Sequence, residues 1–383
     1  MRSDCYNIKL VGLGTAGLRL LGKLAAVGFP ASHFVALDSD IEELQKCQLA
    51  DRIQLGKTTR RGWGCRGNAL EGVKCVRANI NSIAEKLRGA DLVILLAGTG
   101  GGIGGGGASP VAEIAGQEGA LVVTISIQPF DLEYCQDSSF LAIERLKQVS
   151  DTLISISNQK IMDDMPGKCS VQECLEMSNI RALESLMGFG RLVRSDVSQT
   201  INFGDIHGLI KKNNGLGFMA SVEMIGDFSG KTLVDSLQNH PFFGSDIDPA
   251  HVTGMLFAIT AGGGIDEGQV NEIEKSLAVE FPQAEKLSGV YQDKSMDSTI
   301  ALTVMAMESN SVAINRTTDK NRTESNRLIE MTNKSPVIDS KGIQQQLPLV
   351  PVSKGCFDKS ESNLHDGEDL DVPTFLRRNI ILN

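Results

Sequence analysis

The residues most suited to chemistry form a glycine run: eight of the ten residues from 98 to 107 are glycine. An apolar stretch typical of a buried strand, residues 91–96, precedes the run, and residues 110–115 are typical of a helix start. A strand, a glycine loop and a helix N-terminus together can bind an anion, because bare main-chain amides approach a phosphate closely. The alternative, a flexible linker, is disfavoured because linkers rarely lie between a buried strand and a helix.

A second glycine turn follows the first predicted strand. Residues 12–17 fit the GxGxxG pattern, and Asp38 and Asp40 follow at about the spacing of a dinucleotide-binding fold. Alone, this motif would favour an NAD-dependent oxidoreductase. Such a fold needs one glycine loop after its first strand, however, and here a longer one follows a later strand. Together, the two glycine loops predict a site in which phosphates are bound from two sides.

Residues 229–232, Ser-Gly-Lys-Thr, resemble the end of a Walker A loop. The template needs a glycine where Ile225 stands, and residues 221–224 are not typical of the strand that precedes such a loop. This segment is therefore interpreted as a helix start.

Composition restricts the class of protein. The chain has 383 residues, 41% of them hydrophobic, and a formal net charge of -10. Its acidity argues against a nucleic-acid binder. The N-terminal residues lack the apolar segment of a secretory signal, and no apolar run approaches the roughly 20 residues of a membrane span. We expect a soluble cytoplasmic protein with no direct membrane insertion.

Cysteines and histidines give little support for a metal centre. The chain contains no CxxC pair and no HExxH motif, and its five histidines are far apart. In a reducing cytosol the cysteines are expected to be free thiols. They are Cys5, Cys47, Cys65, Cys75, Cys135, Cys169, Cys174 and Cys356.

Apolar segments alternate with helical periodicity through the first half of the chain. This alternation predicts an α/β fold with a doubly wound parallel sheet, whose ligands bind at the carboxyl ends of its strands. Strands are predicted at 8–12, 34–37, 91–96, 120–127 and 152–156, and helices at 18–27, 42–47, 80–88 and 172–188. The segment 56–72, rich in glycine and arginine, is predicted to be a loop.

The second half predicts a smaller α/β unit, with strands at 255–260 and 299–305 and a helix at 267–281. The polar composition that follows is typical of a disordered tail. The predicted organisation is a nucleotide-binding domain (1–170), a central helix (171–195), a C-terminal α/β domain (196–307), a disordered linker (308–368) and a terminal docking peptide (369–383).

Several motifs together resemble the tubulin/FtsZ superfamily, and within it the bacterial FtsZ cell-division proteins. The glycine run resembles a variant of GGGTGTG, residues 61–64 are similar to the loop TRGLGAG, and residues 156–160 are similar to IPNDR. The segment from Asp371 to Arg378 is close to the family's terminal docking peptide. The resemblance extends from about residue 7 to residue 307.

The resemblance implies that GTP or GDP binds between the glycine loops, with Mg²⁺ held mainly through phosphate oxygens. The implied nucleotide-binding positions are Gly12, Gly14, Thr15, Ala16, Gly17, Leu18, Arg19, Gly102, Ile103, Gly104, Gly105, Gly106, Glu133, Asn158 and Asn179. Glu133 matches a ribose-side glutamate, and Asn158 and Asn179 fall where the family reads guanine. No residue is predicted to bind a metal directly.

Family members hydrolyse GTP after head-to-tail assembly, when a loop patterned NxDxxD reaches the next subunit's nucleotide. The matching stretch is 200–205, in which Asp205 keeps its acid and Asn202 replaces another. A carboxylate can orient water or accept its proton, whereas a neutral amide can only hydrogen-bond to it. Asp205 and Asn202 are therefore the candidate catalytic residues.

Other positions also depart from the family pattern. Ile103 and Gly105 replace threonines, and Asn179 replaces a base-reading aspartate, which weakens the expected fit to guanine. Leu175 replaces an aromatic residue, and Asp137 lies near the position of a ribose-side arginine. Leu18 and Arg19 replace paired asparagines, and Arg66 adds a cation to a loop near the γ-phosphate in relatives.

The resemblance thus implies a divergent GTPase that assembles into head-to-tail homopolymers for bacterial cell division and lies in the cytoplasm at the division site. The docking peptide would bind a membrane-anchor division protein across its linker. The altered site leaves an alternative open, a structural polymer with little or no GTPase activity.

Overall fold

The computed structural model describes residues 6–29, 31, 33–49, 51–165, 167, 169–193, 201–226, 229–242, 248–262, 265–293, 296, 298–308, 364–365 and 368–369. The chain divides into two units, residues 1–322 and 323–383. In the second unit the described residues form one small antiparallel pair, β11 (Leu364–His365) and β12 (Glu368–Asp369). The predicted docking peptide from 371 to 378 lies outside the described residues.

The first unit is built on a sheet of ten strands. In chain order they are β1 (Ile8–Leu13), β2 (His33–Asp38), β3 (Asp51–Gln54), β4 (Leu92–Gly98), β5 (Leu121–Gln128), β6 (Thr152–Ser157), β7 (Gly215–Ile225), β8 (Val252–Ala261), β9 (Glu285–Gln292) and β10 (Thr299–Glu308). Their spatial order is β3-β2-β1-β4-β5-β6-β7-β10-β8-β9. The strands from β3 to β7 are parallel to their neighbours, whereas β10 runs antiparallel between β7 and β8.

Helices connect the strands. They are α1 (Gly14–Ala26), α2 (Ile41–Lys46), α3 (Lys57–Arg60), α4 (Ala69–Arg77), α5 (Ile80–Leu87), α6 (Ala108–Gln117), α7 (Gln136–Val149), α8 (Asn158–Asp164), α9 (Val171–Leu192), α10 (Phe203–Lys212), α11 (Gly230–Gln238) and α12 (Glu267–Glu280). A π-helical turn at Ile103–Gly107 leads directly into α6. None of the helices in the described part of the chain is long and apolar enough to cross a bilayer.

Both faces of the central strands are buried, which explains their unbroken apolar sequences. On β4, Ile94 faces the core that contains α1 and α9, and its neighbour Leu95 faces the core under α4, α5 and α6. Helix α9 also packs against β7, β8 and β10, and α11 and α12 cover the opposite face of that half. The α/β fold with a doubly wound parallel sheet and a central helix is confirmed.

The smaller α/β unit predicted for the second half shares this sheet. Strand β7 pairs with β6 through three residue positions, beginning with Thr152 opposite Gly215, so that the sheet continues across both halves. The domain boundaries remain a prediction.

Two local expectations are corrected. Residues 221–224, which did not look like a strand, lie within β7, because antiparallel pairing with β10 stabilises a strand that carries polar side chains. The segment 56–72, predicted to be a loop, contains α3 and the start of α4, whose first turn is capped by the Asn68 side chain. The interpretation of residues 229–232 is supported, since Ser229 caps the N-terminus of α11.

Candidate functional site

A cavity of about 510 Å³ lies at the carboxyl edge of the parallel strands. This is the edge at which doubly wound sheets bind ligands. Its walls come from the ends of β1, β2, β4, β5 and β6, the segment before α4, and α9. The lining residues are Leu13, Gly14, Thr15, Ala16, Arg19, Asp38, Asp40, Trp63, Gly64, Cys65, Arg66, Gly67, Gly98, Gly100, Gly101, Gly102, Ile103, Gly104, Ile127, Gln128, Pro129, Glu133, Asn158 and Leu175.

The first glycine turn brings the N-terminus of α1 to the cavity. Gly14 has a φ of +68°, which favours glycine, and it begins the helix. A Cβ on Gly12 would lie 2.8 Å from the carbonyl oxygen of Gly17, and a Cβ on Gly17 would overlap with that of Leu96. Gly12, Gly17 and buried Leu18 therefore pack the helix onto the sheet, while Thr15 and Ala16 line the cavity beside the unpaired amides of the first turn.

The second glycine run forms the facing wall. A Cβ on Gly104 would overlap with the carbonyl oxygen of Gly98, and one on Gly14 would lie 3.2 Å from the amide nitrogen of Gly104. The two glycine turns thus lie in direct contact. Gly102, Ile103 and Gly104 line the cavity, whereas Gly105 and Gly106 do not; added Cβ atoms there would overlap with the carbonyl oxygens of Thr99 and Ala69.

An amide side chain lies at the β6 end of the cavity. Asn158 is 5% exposed, and its Oδ1 accepts a hydrogen bond of 2.8 Å from the Ser178 hydroxyl on α9. This bond leaves the Asn158 –NH₂ group as the donor available to a ligand. Leu175 lines the cavity one turn before Asn179, which is half-buried and is not among the lining residues.

Glu133 lies at the mouth of the cavity, after β5. Its Oε1 accepts the Phe130 amide at 2.9 Å, which fixes the short turn Asp131–Glu133 and leaves Oε2 available. The exposed side chain of Asp137, on the first turn of α7, is not among the lining residues.

Charged side chains of both signs line the end of the cavity near β1 and β2. Arg19 and Arg66 supply the cations, and Asp38 and Asp40 the nearest acids. Asp38 is 5% exposed, and burial raises the pKa of its carboxyl from 3.8 to about 6. Its Oδ1 accepts the amides of Ser39 and Asp40, at 2.6 and 3.2 Å, which only partly offsets the cost of burial.

The two candidate catalytic residues are far from this cavity along the sheet. Asn202 caps the N-terminus of α10: its Oδ1 accepts the Asp205 amide at 3.0 Å, and its Nδ2 donates to Asp205 Oδ2 at 2.6 Å. The next residue, Phe203, stacks on Tyr6 with ring centroids 4.7 Å apart. Because Tyr6 lies two residues before the first residue of β1, this cap lies at the amino edge of the sheet, opposite the cavity. Asp205 is thus exposed on a helix rather than in the predicted loop. Thr200 lies outside the described residues.

The sequence missed several parts of this site. Trp63, 70% exposed, and Gln128, which donates to Ser155 at 2.6 Å, both line the cavity. Their position at the carboxyl edge was the available signal. Within the described residues no cluster of three acids, histidines or cysteines could hold a metal ion, and the six described cysteines are free.

Comparisons with known proteins agree with this geometry. Residues 7–166 match the model of the Tubulin/FtsZ family, GTPase domain. The chain is 27% identical over 298 residues to "Cell division protein FtsZ 1" of Thermococcus kodakarensis, covering 77% of this chain and 79% of the relative. It is 28% identical over 303 residues to "Cell division protein FtsZ 2" of Methanocaldococcus jannaschii, covering 77% of this chain and 78% of the relative.

Solved structures show the same fold. An empty FtsZ dimer of M. jannaschii matches with a TM-score of 0.75 and 25% identity, covering 81% of this chain and 90% of that one. The GTPγS-bound protofilament of CetZ2 from Haloferax volcanii matches with a TM-score of 0.67 and 16% identity, over 85% of this chain and 99% of that one, and supports the fold alone. Residues 7–166 therefore resemble the GTPase domain of the Tubulin/FtsZ family, and the chain as a whole is similar to FtsZ proteins.

The residues at the cavity fit a nucleotide of this family. The cavity has the volume of a small-molecule site, and Arg19 and Arg66 supply positive charge to it. Its walls include two glycine turns, where added Cβ atoms would fill the space around the bare main-chain amides. An enzyme of the NAD-dependent kind is disfavoured, because both glycine turns, rather than the first alone, bound this one cavity. Phosphate oxygens would supply most ligands for Mg²⁺, which normally retains several waters.

Proposed function

We propose that this protein binds GTP in the carboxyl-edge cavity, assembles head to tail with copies of itself and hydrolyses GTP at the contact between them. One observation carries the proposal: the cavity and Asp205 lie at opposite edges of one sheet. A strand of six residues, such as β1, is about 20 Å long, so Asp205 cannot reach its own chain's cavity. A second copy stacked in the same orientation would bring its Asp205 to this cavity. Such heterologous contacts propagate as open filaments.

Guanine recognition is proposed for the β6 end of the cavity. With its oxygen engaged by Ser178, Asn158 offers an N–H donor, which suits the O6 and N7 acceptors of guanine. Adenine carries an amino donor in place of O6, so the same group disfavours it. Asn179, one turn beyond Leu175 on α9, is proposed to contact the base once it is bound, and Glu133 Oε2 the ribose.

In hydrolysis, Asp205 is proposed to orient the attacking water and accept its proton. Asn202 contacts the Asp205 carboxylate and holds it through the cap at the start of α10. Bound Mg²⁺ supplies charge neutralisation at the phosphates. The main-chain amides of the two glycine turns bind the phosphate oxygens without reorganisation.

A second candidate function is a structural polymer with little or no hydrolysis. It is favoured by the single acid in residues 201–205, Asp205, and by apolar Ile103, which is 3% exposed and lies in the glycine run that lines the cavity. Both candidates share nucleotide binding and assembly. They differ in whether polymer assembly is accompanied by the release of phosphate.

Cell division at the division site is proposed as the cellular role, and its support comes from the archaeal relatives named as cell division proteins. The segment from Asp371 to Arg378 is proposed to dock on a membrane-anchored division protein. Deletion of residues 371–378 should abolish recruitment of the polymer to the membrane without changing assembly in solution. Loss of assembly in that variant would contradict the assignment.

The deciding experiment compares GTP, GDP, ATP and NADH with the full chain. GTP and GDP should raise the melting temperature, and GTP with Mg²⁺ should yield sedimentable polymer. Phosphate release should rise more steeply than linearly with protein concentration, because each site needs two subunits. No shift at millimolar GTP would overturn the proposal, whereas polymer without phosphate release would select the structural alternative.

A further inference from the structure

Arg66 has a backbone conformation that is unusual for a residue with a side chain. Its φ is +49°, in the left-handed region that favours glycine, and Gly64 and Gly67 on either side have φ of +70° and +76°. Residues held in such conformations concentrate at functional sites, where the surrounding structure maintains them. The unusual backbone conformation therefore indicates that the Arg66 side chain has a function.

The segment that carries Arg66 is fixed against the glycine run. Arg60 Nε donates to the Gly64 carbonyl at 3.2 Å, and the Asn68 amide donates to the Cys65 carbonyl at 2.9 Å. A Cβ on Gly102 would lie 3.0 Å from the Asn68 carbonyl oxygen and closer still to the Cys65 side chain. Arg66 thus lies beside the first part of the glycine run, on a segment held in place at both ends.

The Arg66 guanidinium is available to a ligand. It lines the cavity, and it makes no hydrogen bond or ion pair with the residues that the structure describes. Arg60, by contrast, pairs with Glu71 at 3.4 Å. Arg61, which has a similar φ of +52°, is exposed and is not among the residues that line the cavity.

The strand order places Arg66 at one end of a bound nucleotide. Asn158 follows β6, and Trp63, three residues before Arg66, forms a bridge with Asp40 just after β2. Four strand spacings separate β6 from β2, about 19 Å across the sheet edge. A nucleotide whose base contacts Asn158 and whose inner phosphates lie over α1 therefore directs its last phosphate toward β2. Asp38 and Asp40 at that end would repel this phosphate without a nearby cation.

We propose that Arg66 binds the terminal phosphate and makes the site discriminate a nucleoside triphosphate from a diphosphate. This inference rests on the proposed function, since it needs a guanine nucleotide in the cavity. A guanidinium hydrogen-bonds phosphate oxygens in a bidentate manner, so its contribution depends on the last phosphate being present.

The test measures, by calorimetry on the full chain, Kd for GDP and for a non-hydrolysable GTP analogue. Arg66→Gln should weaken binding of the analogue about tenfold and leave GDP within about twofold. Arg61→Gln, the matched control in the same segment, should leave both unchanged. An unchanged ratio of the two Kd values in Arg66→Gln, or an equal loss for both nucleotides, would overturn the proposal.

Arg66→Gly separates binding from folding. Glycine relieves the left-handed backbone, so the nucleotide-free protein should melt at a higher temperature while the analogue binds more weakly. Arg61→Gly should raise the melting temperature without loss of binding. A lower melting temperature with parallel loss of binding would indicate a structural role and contradict the proposal. Wild-type protein that binds neither nucleotide would remove the proposed function as well, whereas a wild-type preference kept in Arg66→Gln would remove only the role of Arg66.

Discussion

The two edges of the sheet are built in different ways. At the carboxyl edge the cavity is made largely from backbone, with glycines so closely packed that added Cβ atoms at Gly17, Gly104 and Gly106 would overlap with carbonyl oxygens. At the amino edge the proposed chemistry depends on one exposed carboxylate, Asp205, held by its neighbour Asn202. The first edge tolerates little change without loss of the fold, whereas the second can lose its activity through one side chain. This difference would allow a divergent chain to keep the proposed nucleotide-binding frame while the residues proposed for hydrolysis change.

The largest effect is expected from a side chain placed where the two glycine turns contact each other. Gly104→Val should lower the free energy of unfolding by about 3 kcal/mol or more, because the branched side chain must displace backbone rather than a flexible neighbour. Nucleotide binding should be lost with it. Urea unfolding and calorimetry check both effects.

Gly116→Ala, on α6, is the control for this substitution. Among the described residues, no atom outside its chain neighbours and its own helix backbone lies within 4 Å of the added Cβ, so the helix should gain about 0.5–1 kcal/mol of stability and binding should stay unchanged. A Gly104→Val variant as stable as wild type would show that the glycine contact does not determine the carboxyl edge.

Substitutions at the amino edge should change the rate of phosphate release and leave stability and binding nearly unchanged. Asp205→Ala should reduce phosphate release about 1,000-fold if this carboxylate is the general base, while GTP binding and the melting temperature change little. Asn202→Asp, which restores a second acid and can still cap α10, should raise phosphate release. The two variants are compared by release rates at equal amounts of sedimented polymer. Unchanged release in Asp205→Ala would contradict its assigned role.

The buried acid in the cavity predicts a pH dependence. Since burial raises the folded-state pKa of Asp38 from 3.8 to about 6, the folded state binds this proton more tightly than the unfolded state. Protonated Asp38 therefore contributes fully to the free energy of unfolding below pH 4. This contribution, up to about 3 kcal/mol, is lost as the pH rises through 6.

Asp38→Asn should remove this pH dependence and leave the protein more stable than wild type at pH 7 to 8. The asparagine oxygen can still accept the Ser39 and Asp40 amides. Unfolding free energies measured between pH 5 and 8 test this. Parallel curves for the two proteins would show that Asp38 does not titrate in this range.

The smallest effect is expected for base selection. Ser178→Ala removes the hydroxyl that orients Asn158, so the preference for GTP over ATP should fall about fivefold, the value of one hydrogen bond. Ser185, also buried on α9, has a hydroxyl that finds no hydrogen-bond partner among the described residues, and Ser185→Ala is the matched control. Competition binding measures both. A preference unchanged by Ser178→Ala would contradict this orienting role.

The sequence predicted the strands that are buried on both faces, because their apolar runs are unbroken. It missed β7 and β9, since β7 carries Ser221 and Glu223 and depends on pairing with β10, and β9 depends on pairing with β8. It also missed α7 and α10, whose mixed sequences gave no clear period. These elements are stabilised by tertiary contacts that no local pattern contains.

The structure brings Gly14, Gly102, Gly104 and Asn158 to one cavity, and their binding of a nucleotide stays a prediction. The motifs could not separate a glycine that lines the cavity, such as Gly102, from one that packs beneath it, such as Gly105. That difference depends on which carbonyl lies opposite each Cα. The positive φ of Arg66 and the bond between Ser178 and Asn158 are likewise visible only in three dimensions.

The most direct measurement of the shared site mixes two inactive variants. Asp205→Ala should still bind GTP but lacks the acid. Thr15→Glu keeps Asp205 and places a carboxylate at a first-turn position of α1, where it favours the helix and should repel the phosphates. Each variant alone should release almost no phosphate, and a mixture should recover activity as each Thr15→Glu subunit supplies Asp205 to a neighbour's cavity. No recovery at any ratio, with both variants folded and co-sedimenting, would contradict a site completed across the two edges of the sheet.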